Sequence, residues 1–213
     1  MSLEQRWQSL WTDAGGASHD YASYVYRRLA LRYTESHRFY HTLAHILHGL
    51  RELDPADVIV EAVDPHAVKM ALWFHDVVYD PRRHDNEQRS TEIASTLLET
   101  GGFRAEFVDR VATLVLATAH AGKPKDDDEA LLIDIDLAIL GQPPERFDEY
   151  ERLIRAEYSF VPEEVYCSAR AKILRRFFER SYIYYTAPMR RRYEKTAEHN
   201  LKNSIECLTG RPF

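Results

Sequence analysis

Phe103, Phe107, Val111, Leu114, Val115 and Thr118 recur three or four positions apart, while Arg104, Glu106, Asp109 and Arg110 fall on the other side. That is the period of a helix with one buried face. The same reading predicts further helices over about residues 19–35, 41–53, 65–80, 86–100, 128–140, 144–157, 163–183 and 189–208. Short Gly or Pro breaks separate them, at Gly15-Gly16, Pro55, Pro65, Pro81, Gly101-Gly102, Gly122 to Pro124, Gly141 to Pro144, Pro162 and Pro188. Strand-like alternation is nearly absent, and no linker, repeat or low-complexity block interrupts the series. The expectation is an all-α chain, a single-domain helical bundle over residues 1–213, with a core at about 20–141 and C-terminal helices at about 144–208 packed on it.

Some apolar stripes are broken by polar residues. In ALWFHDVVYD, residues 71–80, His75 has Ala71, Leu72, Val78 and Tyr79 as its helical neighbours, and Asp76 has Leu72, Trp73, Tyr79 and Asp80. An ionised carboxylate taken out of water without a partner costs several kcal/mol or more, so a cation, a hydrogen-bond network or a metal must compensate it. In LLIDIDLAILG, Asp136 lies among Leu132, Ile133, Ile139 and Leu140, a larger apolar set than surrounds Asp134, and is the better inward carboxylate. In RFYHTLAHILHGL, His41, His45 and His48 share one face at i, i+4 and i+7. His41 lies at the helix start, where a ligand reaches a site without being buried along its length. His45 is placed to orient a ligand through its other ring nitrogen.

His41, the His75-Asp76 pair and Asp136 thus form a mixed nitrogen and oxygen set from three segments. Adjacent helical residues point about 100° apart, so His75 and Asp76 share one ion only near a helix crossing. Mixed imidazole and carboxylate ligation suits Mn, Fe, Co, Ni or Zn better than Ca, and pure Mg sites prefer oxygen alone.

The 213 residues are 45% hydrophobic, an ordinary globular composition. A formal net charge of −6 argues against a general nucleic-acid binder. Residues 142–213 nevertheless carry 14 Lys/Arg against 11 Asp/Glu, read chiefly as exposed helix faces. No run reaches the length of a membrane span, and Glu4 and Arg6 interrupt the N-terminus where a secretory signal needs apolar residues, so a cytoplasmic location without membrane contact is expected. Cys167 and Cys207 are too few for a disulfide framework and are read as ordinary thiols.

The order His41, His75-Asp76, Asp136 matches an H…HD…D pattern, and HRFYHTLAHI, LWFHDVVYDP, DNEQRS, DIDLAILG, RAEYSFVP and HNLKNSIE surround it. Over about residues 28–205 the chain resembles the HD superfamily of metal-dependent phosphohydrolases, in particular a bacterial branch of predicted members. The resemblance implies a helical bundle in which His41, His75, Asp76 and Asp136 hold a divalent ion (Mn, Fe, Co, Ni, Zn or Mg). It implies hydrolysis of a nucleotide or other small phosphoester by metal-activated water, with His75 and Asp76 catalytic and Asp76 accepting a proton. Arg38, Lys123, Arg155 and Arg170 are candidates for the phosphate oxygens, and His45, Glu87 and His120 for the pocket lining. Two other readings are a nucleotide-sensing or metal-binding module without turnover, and an HD-type di-iron oxygenase with His120 as an added ligand.

Overall fold

One helix, Pro65–Phe74, is buried nearly all round: Ala67, Val68 and every residue from Met70 to Phe74 are enclosed. A helix apolar on every side belongs inside a bundle. Its start is set locally, since Asp64 accepts the backbone N–H groups of His66 and Ala67 and Pro65 takes the first helical position.

The computed structural model describes residues 1–211 and is all-helical; no strand occurs among the described residues. The chain divides into two compact units, Met1–Asp136 and a second beginning at Leu137. The first contains α1 (Leu3–Asp13), α2 (His19–Arg32), α3 (Leu43–Leu53), α4 (Ala56–Ile59), α5 (Pro65–Phe74), α6 (Asn86–Thr100), α7 (Ala105–Ala117) and α8 (Asp127–Asp136). Helix α5 is its axis, packed by α1, α3, α6, α7 and α8. The second unit has a 3-10 turn at Leu137–Gly141, then α9 (Pro144–Glu157), α10 (Glu163–Phe178) and α11 (Ala187–Thr209). There Asn200 of α11 donates to the carbonyls of Leu140 and Gln142, each at 2.9 Å, and Tyr184 Oη donates to Leu137 O at 3.1 Å. No described helix is long and apolar enough to cross a membrane.

The amphipathic pattern predicts most of these elements, and the differences have local causes. Helix α1 is an addition: Ser2 and Gln5 form a reciprocal capping box, and Trp7, Leu10 and Trp11 bury one stripe. The predicted 65–80 helix ends at Phe74, and α8 gives way to the 3-10 turn after Asp136. Both early endings fall at residues of interest for chemistry.

Helix α3 approaches α5 and α8 at Gly49. A Cβ built there would lie 2.9 Å from Leu72 Cδ1 and 3.3 Å from Ile135 Cγ2. A methyl group there would have to displace the tip of the buried Leu72 side chain. Gly49→Ala is therefore expected to destabilise the protein by about 1–3 kcal/mol, the usual penalty for overpacking, read as a lower urea midpoint with an unchanged slope. A midpoint equal to wild type would show that α3 does not pack as described.

Candidate metal centre

Three helix ends meet at one point. Thr42 caps α3, its side chain accepting Ala44 N–H, and places His45 in the first turn. His75 follows the last residue of α5, Asp76 lies in the turn after it, and Asp136 is the last residue of α8. His75 Nε2 lies 3.0 Å from Asp76 Oδ2, 3.1 Å from His45 Nε2 and 3.5 Å from Asp136 Oδ1. His45 Nε2 lies 3.3 Å from Asp136 Oδ1 and 3.7 Å from Asp76 Oδ2. One ligand atom each of His45, His75 and Asp76 falls within 4.8 Å of the others.

The turn after α5 is held by side chains that satisfy its main chain. His75 Nδ1 donates to Leu72 O at 2.9 Å, Tyr33 Oη to Trp73 O at 2.9 Å, and Arg38 Nη1 to Asp76 O at 2.7 Å. Ser90 Oγ accepts Val78 N–H at 3.0 Å. The first of these bonds sets the chemistry of His75. A carbonyl only accepts, so Nδ1 carries a hydrogen, and in the neutral ring Nε2 turns a lone pair toward the cluster. There it meets the oxygens of Asp76 and Asp136 and the nitrogen of His45, whose own Nδ1 is buried with no hydrogen-bond partner. A second proton on His75 relieves part of this crowding. Burial pushes the His75 pKa down, but the carboxylates of Asp76 and Asp136 outweigh it and leave it well above the usual imidazole value. Enclosure raises the pKa of Asp76, yet His75, His41 and His45 hold it below the carboxylate range. Asp136 is likewise pushed up by burial and drawn well below by His120, His45 and His75.

This donor set fits a divalent cation. Two imidazole nitrogens and two carboxylate oxygens crowd together, and a cation satisfies all four at once where a proton serves one pair. The Nδ1–H of His75 tied to a backbone carbonyl is the outer contact that ligand histidines commonly make.

The structure distributes the other predicted residues unevenly. His41 borders the cluster: its ring stacks on Tyr79 with centroids 4.0 Å apart, lies 5.8 Å from the His45 ring, and acts electrostatically on Asp76. His45, expected to orient a ligand, itself turns Nε2 into the cluster. Asp134 is fully buried, and Asp136 is the carboxylate at the cluster. His120 Nε2 lies 2.9 Å from Asp136 Oδ2, on a backbone with φ 51°, in the left-handed region that non-glycine residues rarely adopt. Arg38, nominated for phosphate, is turned to main-chain carbonyls and Glu35. Arg155 and Arg170 belong to the second unit. Arg155 binds Glu163 and the carbonyls of Tyr158 and Val161, while Arg170 binds Glu151 and Tyr150. Lys123 is exposed between α7 and α8, and Glu87 is half-buried in the first turn of α6. The sequence reading overlooks Tyr33, Tyr79 and Ser90. The signal for Ser90 is its place in the buried stripe Ser90, Ala94, Leu98 of α6.

No protein-family model, no curated protein and no solved structure matches the chain.

The direction of each shift gives a pH signature for the metal-free protein. Because the folded pKa of His75 is raised, its stabilisation is complete below about 6.5 and is lost as pH rises through the folded value. Because those of Asp76 and Asp136 are lowered, their contribution is present above about 3.8 and is lost as pH falls through the folded values. Chelator-treated protein is thus expected to lose urea stability on the alkaline side of this window. Added Mn²⁺ is expected to remove that loss, since the ligand imidazoles bind the ion in their deprotonated form. An alkaline decline identical with and without Mn²⁺ would contradict the assignment.

Proposed function

We propose that the chain is a metal-dependent phosphohydrolase of the HD type, acting on a nucleotide or another small phosphoester. The observation that carries this reading is the convergence of His45 Nε2, His75 Nε2, Asp76 Oδ2 and Asp136 Oδ1 from three separate segments. The H…HD…D order along the chain supports it. His45, His75, Asp76 and Asp136 would hold the cation, with His41 beside them. A divalent ion in such a place supplies Lewis acidity toward a phosphoryl oxygen and acidifies a bound water.

The protein groups then divide the remaining work. Asp76, kept ionised by the imidazoles around it, offers an acceptor that aligns the hydrogen of an attacking water. His75 is oriented toward the centre by its bond to Leu72 O. His120 holds the outer oxygen of Asp136, so the inner oxygen stays directed at His45 and His75. Exposed Lys123 remains a candidate cation for the phosphate.

One contact favours a second reading. Asp136 has one oxygen against His45 and His75 and the other against His120, as a carboxylate shared by two ions would. Two bound irons and oxygen consumption would identify the oxygenase.

Elemental analysis of protein purified without added metal is expected to find one divalent ion per chain. Turnover of a panel of nucleotides and simple phosphoesters is expected to depend on it. Asp76→Ala, with its far-UV circular dichroism unchanged, is expected to lose turnover by about 10³-fold or more. Metal-loaded protein that binds a nucleotide tightly without hydrolysing it would replace the hydrolase with a sensor.

A further inference from the structure

Arg38 is a buried cation that the reaction does not use. It lies in the loop between α2 and α3 with its side chain fully enclosed, and a buried guanidinium is costly unless its donors are met. They are met in an unusual way. Nε donates to Glu35 Oε2 at 3.1 Å, but Nη1 donates to both His41 O, at 3.1 Å, and Asp76 O, at 2.7 Å. Nη2 adds Val77 O at 3.2 Å. A single nitrogen therefore joins the main chain of two segments, one carrying His41 and the other carrying His75 and Asp76.

The ring contacts have the same effect. The guanidinium carbon lies 5.2 Å from the Tyr33 ring centroid and 5.6 Å from that of Tyr79. Tyr33 also donates to Trp73 O, at the end of α5, and Tyr79 stacks on His41. The fork and the two rings together brace both segments.

We propose that Arg38 is a positioning residue of the metal centre. Its planar fork sets the separation between the His41 segment and the His75-Asp76 turn, and so tunes affinity for the cation. The inference rests on the metal-binding reading above. Lysine keeps the charge, but three donors on one flexible point cannot reproduce a planar fork across two main-chain segments. A residue that served stability alone would not affect the geometry around the ion.

Co²⁺ is the probe, followed through its binding constant and its visible ligand-field spectrum. Arg110→Lys is the control, because Arg110 bridges Asp126 and Asp128 in the same unit without touching the cluster. Arg38→Lys is expected to weaken Co²⁺ binding by about 10- to 100-fold and to change the spectrum. Arg110→Lys is expected to lower the melting temperature and leave both readouts as in wild type. A wild-type constant and spectrum in Arg38→Lys would overturn the proposal. If wild-type protein itself failed to bind Co²⁺, the metal reading would fall, and the metal-free protein would decide the rest. There the ¹⁵N resonances of the His41 and His75 rings are expected to move in Arg38→Lys and not in Arg110→Lys; unmoved resonances would overturn the positioning role. Should Arg38→Lys not fold, Glu35→Gln is expected to move the same readouts in the same direction by less, and no movement would be equally decisive.

Discussion

A buried helix must end somewhere, and the end of α5 governs this protein's candidate chemistry. The last carbonyls of any helix lack partners within it, and out of water each must find one. Here two of the partners are side chains, His75 for Leu72 and Tyr33 for Trp73, and in the turn that follows Arg38 does the same for Asp76 and Val77. Because the main chain is satisfied in this way, the helix can stop in the interior without water. At that stop the side chains of two consecutive polar residues meet, His75 Nε2 lying 3.0 Å from Asp76 Oδ2.

The cost of that arrangement is electrostatic. Asp76 and Asp136 bring negative charge into a largely enclosed space, and desolvation acts against both. The imidazoles of His75 and His45 reverse the balance for the carboxylates, and the carboxylates do the same for His75. His75, Asp76 and Asp136 are each held in the charged form by their neighbours. A proton or a cation among these atoms offsets part of that cost, so the stability of the set and its proposed chemistry depend on the same atoms. Gly49 favours the closeness, since a side chain there would press on Leu72 of α5 and Ile135 of α8.

Two arginines share one mode of binding. The buried Arg38 and the half-buried Arg155 both direct nitrogens to main-chain carbonyls and one to a carboxylate. A guanidinium suits this role because its donors lie in one plane at fixed angles, so a few contacts define the relative position of two chain segments. Sequence patterning treats every arginine as a charge in search of an anion. Only a map of neighbouring carbonyls distinguishes a clamp from a ligand-binding group.

The all-helical character and most helix positions were written in the sequence, because amphipathic period, caps and breakers act over a few residues. The capping signal Ser2 to Gln5 was equally local, and α1 was legible there. His75, Asp76 and Asp136 stood out for the same reason, as polar groups among large apolar neighbours. The spacing placed His41 and His45 on one face of a helix predicted from 41, whereas α3 begins at Leu43 and carries His45 in its first turn, with His41 in the segment before it. Spacing alone did not show that His45 Nε2 meets His75 and Asp136, which depends on how α3 packs on α5 and α8. Nor did the apolar run of residues 71–80 disclose that its helix ends at Phe74. That ending depends on Tyr33, Arg38 and Ser90, which are remote in sequence, and contacts among distant residues exist only once the chain has packed.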